Sequence, residues 1–180
     1  PDNKDIPFPL IFTGPKESKG YFEQINKFIG QTLGEEAQNL YEIIIDNPAL
    51  VARKVKQGVD EVYAYRTKHD DAYYFNWLLT IDHEFQKTFA PTHETMGALK
   101  LNKDLSTHIL AANMRKAFSG IVAGNIKEQG IQAIDDFGPF EITATKEIMQ
   151  PMDELLQSFV AQKRMKVDEA NYKPCYCLKA

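Results

Sequence analysis

Residues that could do chemistry fall in a few places along this chain. His93-Glu94-Thr95-Met96-Gly97 opens like a zinc-protease helix, in which two histidines four apart face one metal and the glutamate serves as base. Gly97 stands where the second histidine is required, so the face has too few ligands and reads as an ordinary helix entry. Ser119-Gly120-Ile121-Val122-Ala123-Gly124-Asn125 hints at a phosphate loop. It lacks the Gly-Lys-Ser/Thr ending and no strand precedes it, so backbone N–H groups have no cradle to form. Gly120 and Gly124 share a helical stripe instead, which predicts close helix packing, with a subunit interface as one use. Arg53, Arg66, Arg115 and Lys116 could hold a phosphorylated ligand if the fold gathers several of them, because guanidinium groups bind phosphate bidentately. Left apart, they are solvated charges of little energetic weight. Asp70, Asp71, Asp82 and Glu84 lie in an aromatic-rich stretch where burial could raise a carboxyl pKa, but no neighbour fixes a partner. Ser119 has no nucleophile-elbow frame, and no lysine has a Schiff-base setting. Cys175 and Cys177 are too close for an unstrained disulfide and supply only two metal ligands, so no metal site is expected.

Composition narrows the class. Hydrophobic residues make up 43% and charged residues 26% of 180 residues, as in ordinary globular proteins. A formal net charge of -4 leaves no footprint for nucleic acid. No apolar stretch is long enough to span a bilayer, and no signal peptide is evident. Together with the unpaired cysteines, this predicts a cytoplasmic protein.

The elements that must position these residues follow from periodicity. Phe8 to Thr13 reads as a strand that closes on Gly14-Pro15. A helix follows, with Tyr21, Phe22, Ile25, Phe28, Ile29 and Leu33 on one stripe and Gly34 placed to end it. Leu40 to Ile45 reads as a second strand, and its isoleucines without alternation predict cover on both faces. Asp46-Asn47-Pro48 supplies a cap and a first helical residue for a helix carrying Leu50, Val51, Val55, Val59, Val62 and Tyr63. Composition shifts at His69, where aromatics crowd and Tyr74 to Ile81 could be a strand. Ala90-Pro91-Thr92 then turns into a short helix at His93. From about Asp104 a long helix is predicted, with Leu110, Met114, Ala117, Phe118, Ile121 and Val122 inward. Gly130 is expected to separate it from a shorter helix at Ile131 to Phe137. Phe140 to Thr143 reads as a short strand. A last helix carries Ile148, Met152, Leu155, Leu156, Phe159 and Val160, with Pro151 expected in its first turn. From Lys166 onward the chain reads as an extended polar tail.

The fold class is therefore α/β: the C-terminal part of a Rossmann-like parallel sheet over residues 1–68, followed by a mainly helical extension over 69–180. Two parallel strands cannot bury both faces of a sheet, so earlier strands are expected upstream.

The segments PLIFTGPKESKGYFEQINKFI and EIIIDNPALVARKVK resemble the last two strand–helix units of the LOG family of Rossmann-like phosphoribohydrolases, often mislabelled as lysine decarboxylases. Gly20-Tyr21 resembles that family's Gly-Phe/Tyr, and Asp46-Asn47-Pro48 its Asp-x-Pro. DAYYFNWLLTI, PTHETMGALKL, RKAFSGIVAGNIKEQGIQAIDDFGPF, KEIMQPMDELLQSFVAQKRMK and YKPCY resemble the C-terminal extension of a bacterial branch of nucleotide 5′-monophosphate nucleosidases. The resemblance implies hydrolysis of the N-glycosidic bond of nucleoside 5′-monophosphates, giving a free base and ribose 5-phosphate without a cofactor. It also implies a homo-oligomer and regulation by a guanosine alarmone, an anion that would suit Arg53, Arg66, Arg115 and Lys116. In the family, a Pro-Gly-Gly-x-Gly-Thr loop holds phosphate at a helix N-terminus, and a following glutamate and an upstream arginine act in catalysis. This sequence contains neither that loop nor its glutamate, so no catalytic residue is assigned here and the chain alone is expected to be inactive. Thr13, Gly14 and Pro15, at the carboxyl end of a parallel strand, are the expected substrate neighbours. The alternative is a non-catalytic regulatory or oligomerisation module. The decarboxylase label is discounted, for want of a pyridoxal-phosphate lysine.

Overall fold

A computed structural model describes residues 9–69 and 88–179. It is an α/β structure whose chain divides into two compact units, residues 1–22 with 39–88, and residues 23–38 with 89–180. The predicted strand at Tyr74 to Ile81 and the carboxylates Asp70, Asp71, Asp82 and Glu84 lie outside the described residues.

In the first unit, β1 (Ile11–Gly14) runs parallel to β2 (Glu42–Ile45), with Ile11 opposite Glu42 and Gly14 opposite Ile45. A 3-10 turn at Lys16–Ser18 leads into α1 (Lys19–Leu33), whose start belongs to this unit and whose remainder belongs to the second. Gly34, at φ 87°, ends α1 as expected, in the left-handed conformation that costs glycine least. A four-residue helix, α2 (Glu35–Gln38), follows. α3 (Pro48–Lys68) starts as its sequence dictates: the Asn47 side chain accepts from the Leu50 N–H at 3.0 Å, and Pro48 occupies the first turn. Lys54 ties α3 to β2 through Glu42 at 3.0 Å.

The expectation that β2 is covered on both faces fails among the described residues. Ile44 alone of its four residues is buried, and Glu42 is exposed. The apolar stripe of α3 is likewise partly open, with Val55, Val59 and Tyr63 exposed.

The second unit holds almost all of the buried apolar side chains. Thr92 caps α4 (His93–Gly97) through a reciprocal capping box with Thr95. Then come β3 (Lys100–Leu101), α5 (Thr107–Ile126), α6 (Glu128–Phe137), β4 (Phe140–Ala144), α7 (Lys146–Ala161) and β5 (Tyr176–Leu178). The three strands form a parallel sheet in the order β3-β4-β5. Parallel neighbours require crossovers, and α5 with α6, then α7, supply them. Phe140 and Ile142 point into the core with Met96, Leu101, Ile121, Ile148, Met152 and Leu156, all fully buried.

Three expectations are corrected here. Gly130 does not break the chain between helices; the break is at Lys127, whose backbone is extended, and Gly130 lies inside α6 against the backbone of Ala123. Pro151 is in the second turn of α7 rather than the first, because the helix starts at Lys146. It thereby removes the N–H that would reach the Glu147 carbonyl. The polar tail is not free, since Tyr176–Leu178 pairs with β4 and Cys175 is buried.

Candidate functional site

In the first unit, the carboxyl ends of β1 and β2 form the edge at which open parallel sheets bind ligands. Thr13 and Pro15 are exposed there and Gly14 is half-buried. Gly14 is demanded by crowding: a Cβ would stand 2.8 Å from Ser18 Oγ and 3.2 Å from the Phe22 ring. The chain then tightens, Ser18 N–H donating to the Pro15 carbonyl at 2.8 Å, and Ser18 is buried under the turn. The second strand delivers Asp46 to the same edge, its N–H donating to the Gly14 carbonyl at 2.9 Å. Asp46 adopts φ 56°, a left-handed conformation that Asp tolerates better than most residues. The exposed Asp46 carboxylate and Thr13 hydroxyl can accept from and donate to vicinal hydroxyls, the groups a ribose presents. From its place before Asn47-Pro48, Asp46 is expected only to help cap α3. Its positive φ, which no sequence pattern announces, marks it as part of this edge.

At the opposite, amino end of the strands is a small cleft of about 220 Å³ between Pro9, Tyr41, Lys54 and Gly58. Burial pushes the Tyr41 phenol up from its ordinary range, and its ring tilts on Phe12 at 4.7 Å. That is the edge at which parallel sheets do not present ligands.

The basic residues singled out from the sequence are spread out. Arg53 stands exposed in the second turn of α3, while Arg66 is half-buried in its last turn, so the helix holds them several turns apart. On α5, Arg115 is exposed and Lys116 places its Nζ 5.9 Å from the centroid of the Phe89 ring, a cation–π contact. The glycine stripe on α5 serves the interior of its own unit. Gly120 makes room for Met96, and Gly124 for Cys175 and Ile134. His93, the false start of a zinc helix, directs Nε2 to the Gly138 carbonyl at 2.9 Å. Among the described residues, no three His, Cys, Asp or Glu side chains are gathered so as to hold a metal.

A second polar locus joins α7 to β5. The Tyr176 hydroxyl donates to Asp153 Oδ2 at 2.7 Å, while Asp153 Oδ1 and the Tyr172 hydroxyl are buried without a hydrogen-bond partner among the described residues. Burial raises the Asp153 carboxyl above the usual range, against the Tyr176 hydrogen bond, which lowers it. Burial likewise raises both tyrosines, with the Asp153 charge adding to it. Raised values here mark tight packing of β5 on α7, and the neighbouring Cys175 thiol is itself buried and adds to the Tyr172 shift.

Two curated proteins share this sequence pattern along nearly its whole length. The pyrimidine/purine nucleotide 5′-monophosphate nucleosidases of Escherichia coli K12 and of Escherichia coli O6:H1 are each 53% identical over 176 residues, 98% of this chain. The chain spans 39% of the length of each. The profile of the family described as "Pyrimidine/purine nucleotide monophosphate nucleosidase, C-terminal" matches residues 59–179. A match over that much of the chain, beside relatives of this identity, places the protein: it belongs to the pyrimidine/purine nucleotide monophosphate nucleosidase C-terminal family.

Proposed function

We propose that this chain is the C-terminal portion of an enzyme that hydrolyses the N-glycosidic bond of nucleoside 5′-monophosphates, releasing free base and ribose 5-phosphate. The observation that carries the reading is 53% identity over 98% of the chain to proteins named for that activity. Residues 1–68 are the last strand–helix units of a LOG-type Rossmann-like domain, and residues 69–180 are its extension. The parallel pairing of β1 with β2, each followed by a helix, supports that division.

The reaction builds positive, oxocarbenium-like charge on the ribose as the bond to the base breaks. A carboxylate in place before the reaction stabilises that charge, and backbone N–H groups at a helix N-terminus hold the phosphate. Both belong to sequence upstream of β1. The contribution of this chain is the carboxyl edge of β1 and β2, where Thr13, Gly14 and Pro15, joined by Asp46, border the ribose. No cofactor takes part. The enzyme works in the cytoplasm as a homo-oligomer, a reading supported by its unpaired thiols and by the exposed Val55, Val59 and Tyr63 on α3. A guanosine alarmone is the proposed regulator, with Arg53, Arg66, Arg115 and Lys116 as the cations that would meet its phosphates.

The test is to incubate the chain, alone and joined to the upstream segment of such a nucleosidase, with AMP, GMP, CMP and UMP. Base and ribose 5-phosphate should appear with the joined protein only. Failure of the joined protein on all four nucleotides would leave a non-catalytic module as the better reading. Turnover by the chain alone would overturn the placement of the chemistry upstream.

A further inference from the structure

A groove of about 850 Å³ opens in the second unit between the α4 entry and α6, within the size range of small-molecule sites. Its floor is made of Ala123, Gly130 and Ala133, and Gly130 is held so close to the Ala123 backbone that no side chain fits there. Its walls carry three rings, Phe89, His93 and Phe137. The Phe137 ring is 75% exposed, which is unusual for a phenylalanine on a well-packed unit. His93 meets Phe137 edge-on at 5.7 Å and lies at 4.8 Å from the buried Phe140, so the platform is fixed from beneath. The Thr92–Thr95 capping box fixes the backbone of the same turn.

Polar groups around these rings have defined roles. A carbonyl can only accept, so His93 Nε2 donates to Gly138, and in the neutral ring Nδ1 is left as an acceptor. Glu94, the one acidic side chain among the described lining residues, adds a second acceptor. Lys127 lines the groove at the start of α6, and Lys116 stands over the Phe89 ring. Flat apolar faces, acceptors for ring N–H or amino groups, and two ammonium groups together suit a planar nitrogen heterocycle that carries negative charge. Stacking on exposed aromatics is how proteins hold unpaired bases.

We propose that this groove binds a nucleoside monophosphate, the base stacked on Phe137 and the phosphate drawn to Lys127. The choice of a nucleotide among aromatic anions rests on the nucleosidase reading above. Calorimetric titration of the protein with AMP, GMP, CMP and UMP tests it, with adenosine and ribose 5-phosphate as the two halves of the ligand. Phe137→Ala should weaken AMP binding by roughly tenfold, in line with the loss of one stacked base. Lys127→Met should weaken AMP but leave adenosine unchanged, and ribose 5-phosphate should bind at least tenfold more weakly than AMP. Because Phe137 is so exposed, Phe137→Ala should keep the parent circular dichroism and melting temperature. The proposal is overturned if none of the four nucleotides binds at millimolar concentration, or if Phe137→Ala binds AMP as the parent does. Base release by the joined enzyme is scored separately. An active enzyme whose binding ignores Phe137 sinks the groove alone, and Phe137-dependent binding without base release sinks the nucleosidase reading alone.

Discussion

The two compact units are both parallel α/β structures, yet they bury their sheets to different degrees. The second unit encloses β4, where Phe140 and Ile142 are fully buried between helices, and its core draws on α4, α5, α7 and all three strands. The first unit buries one large apolar side chain of the sheet, Ile44, and leaves Leu10, Leu40, Val55, Val59 and Tyr63 exposed among its described residues. A parallel sheet is stable when both faces are covered. By that measure the second unit covers its own sheet, whereas the described residues of the first leave apolar surface open.

The sharpest way to break this contrast is to remove a ring from the enclosed core. Phe140→Ala should cost about 3–5 kcal/mol, read as a lower urea midpoint. Val59→Ser on α3 should change the same midpoint by less than about 0.5 kcal/mol, since the side chain it removes is exposed. Equal losses would mean the two units are not so different. Glycine substitutions sharpen the comparison within the core. Gly130→Ala would press a methyl into the Ala123 backbone, which cannot retreat, at about 3 kcal/mol. Gly120→Ala meets only the flexible end of Met96, so about 1 kcal/mol is expected.

The α7–β5 locus gives a smaller effect with a pH signature. Tyr176→Phe leaves the buried Asp153 carboxylate without its donor and should cost about 1–3 kcal/mol, whereas Tyr172→Phe removes a hydroxyl with no hydrogen-bond partner among the described residues and should be near neutral. Asp153 is raised in the folded state, so its contribution is fully present below the unfolded value of about 3.9 and is lost as pH rises through the raised one. Asp153→Asn should therefore be more stable relative to the parent at pH 7 than at pH 4, by denaturation at both. A local effect is expected in the first unit, where Asn47→Ala removes the α3 cap. A loss of about 1 kcal/mol is expected, confined to the hydrogen exchange of α3.

What could be read from sequence alone follows the same division between local and distant causes. Asn47-Pro48, Gly34, Thr92 and the inward stripe of α5 act through neighbours within a turn, and each stands where periodicity and capping put it. β3 is two residues long and β5 lies among polar residues, so neither carries a pattern of its own; each exists because β4 offers it a ladder. Gly130 was legible as a glycine but not as a contact, since Ala123 lies on the preceding helix. The carboxyl edge around Thr13 was legible from strand direction. Asp46 joins it through a backbone angle, and the groove joins Phe89 to Phe137 across the fold, neither of which sequence spacing encodes.

Cys175 and Cys177 stand two residues apart at the start of β5, one buried and one exposed. Asn125 clasps the chain beside them, bonding both backbone groups of Lys173 and approaching the Cys175 sulfur at 3.4 Å. Burial also raises the Cys175 thiol, making it a slow nucleophile while the fold is closed. The pair is thus a native kinetic gauge: alkylation at Cys177 clocks the reagent, and the lag at Cys175 reports how often the strand peels from its neighbour.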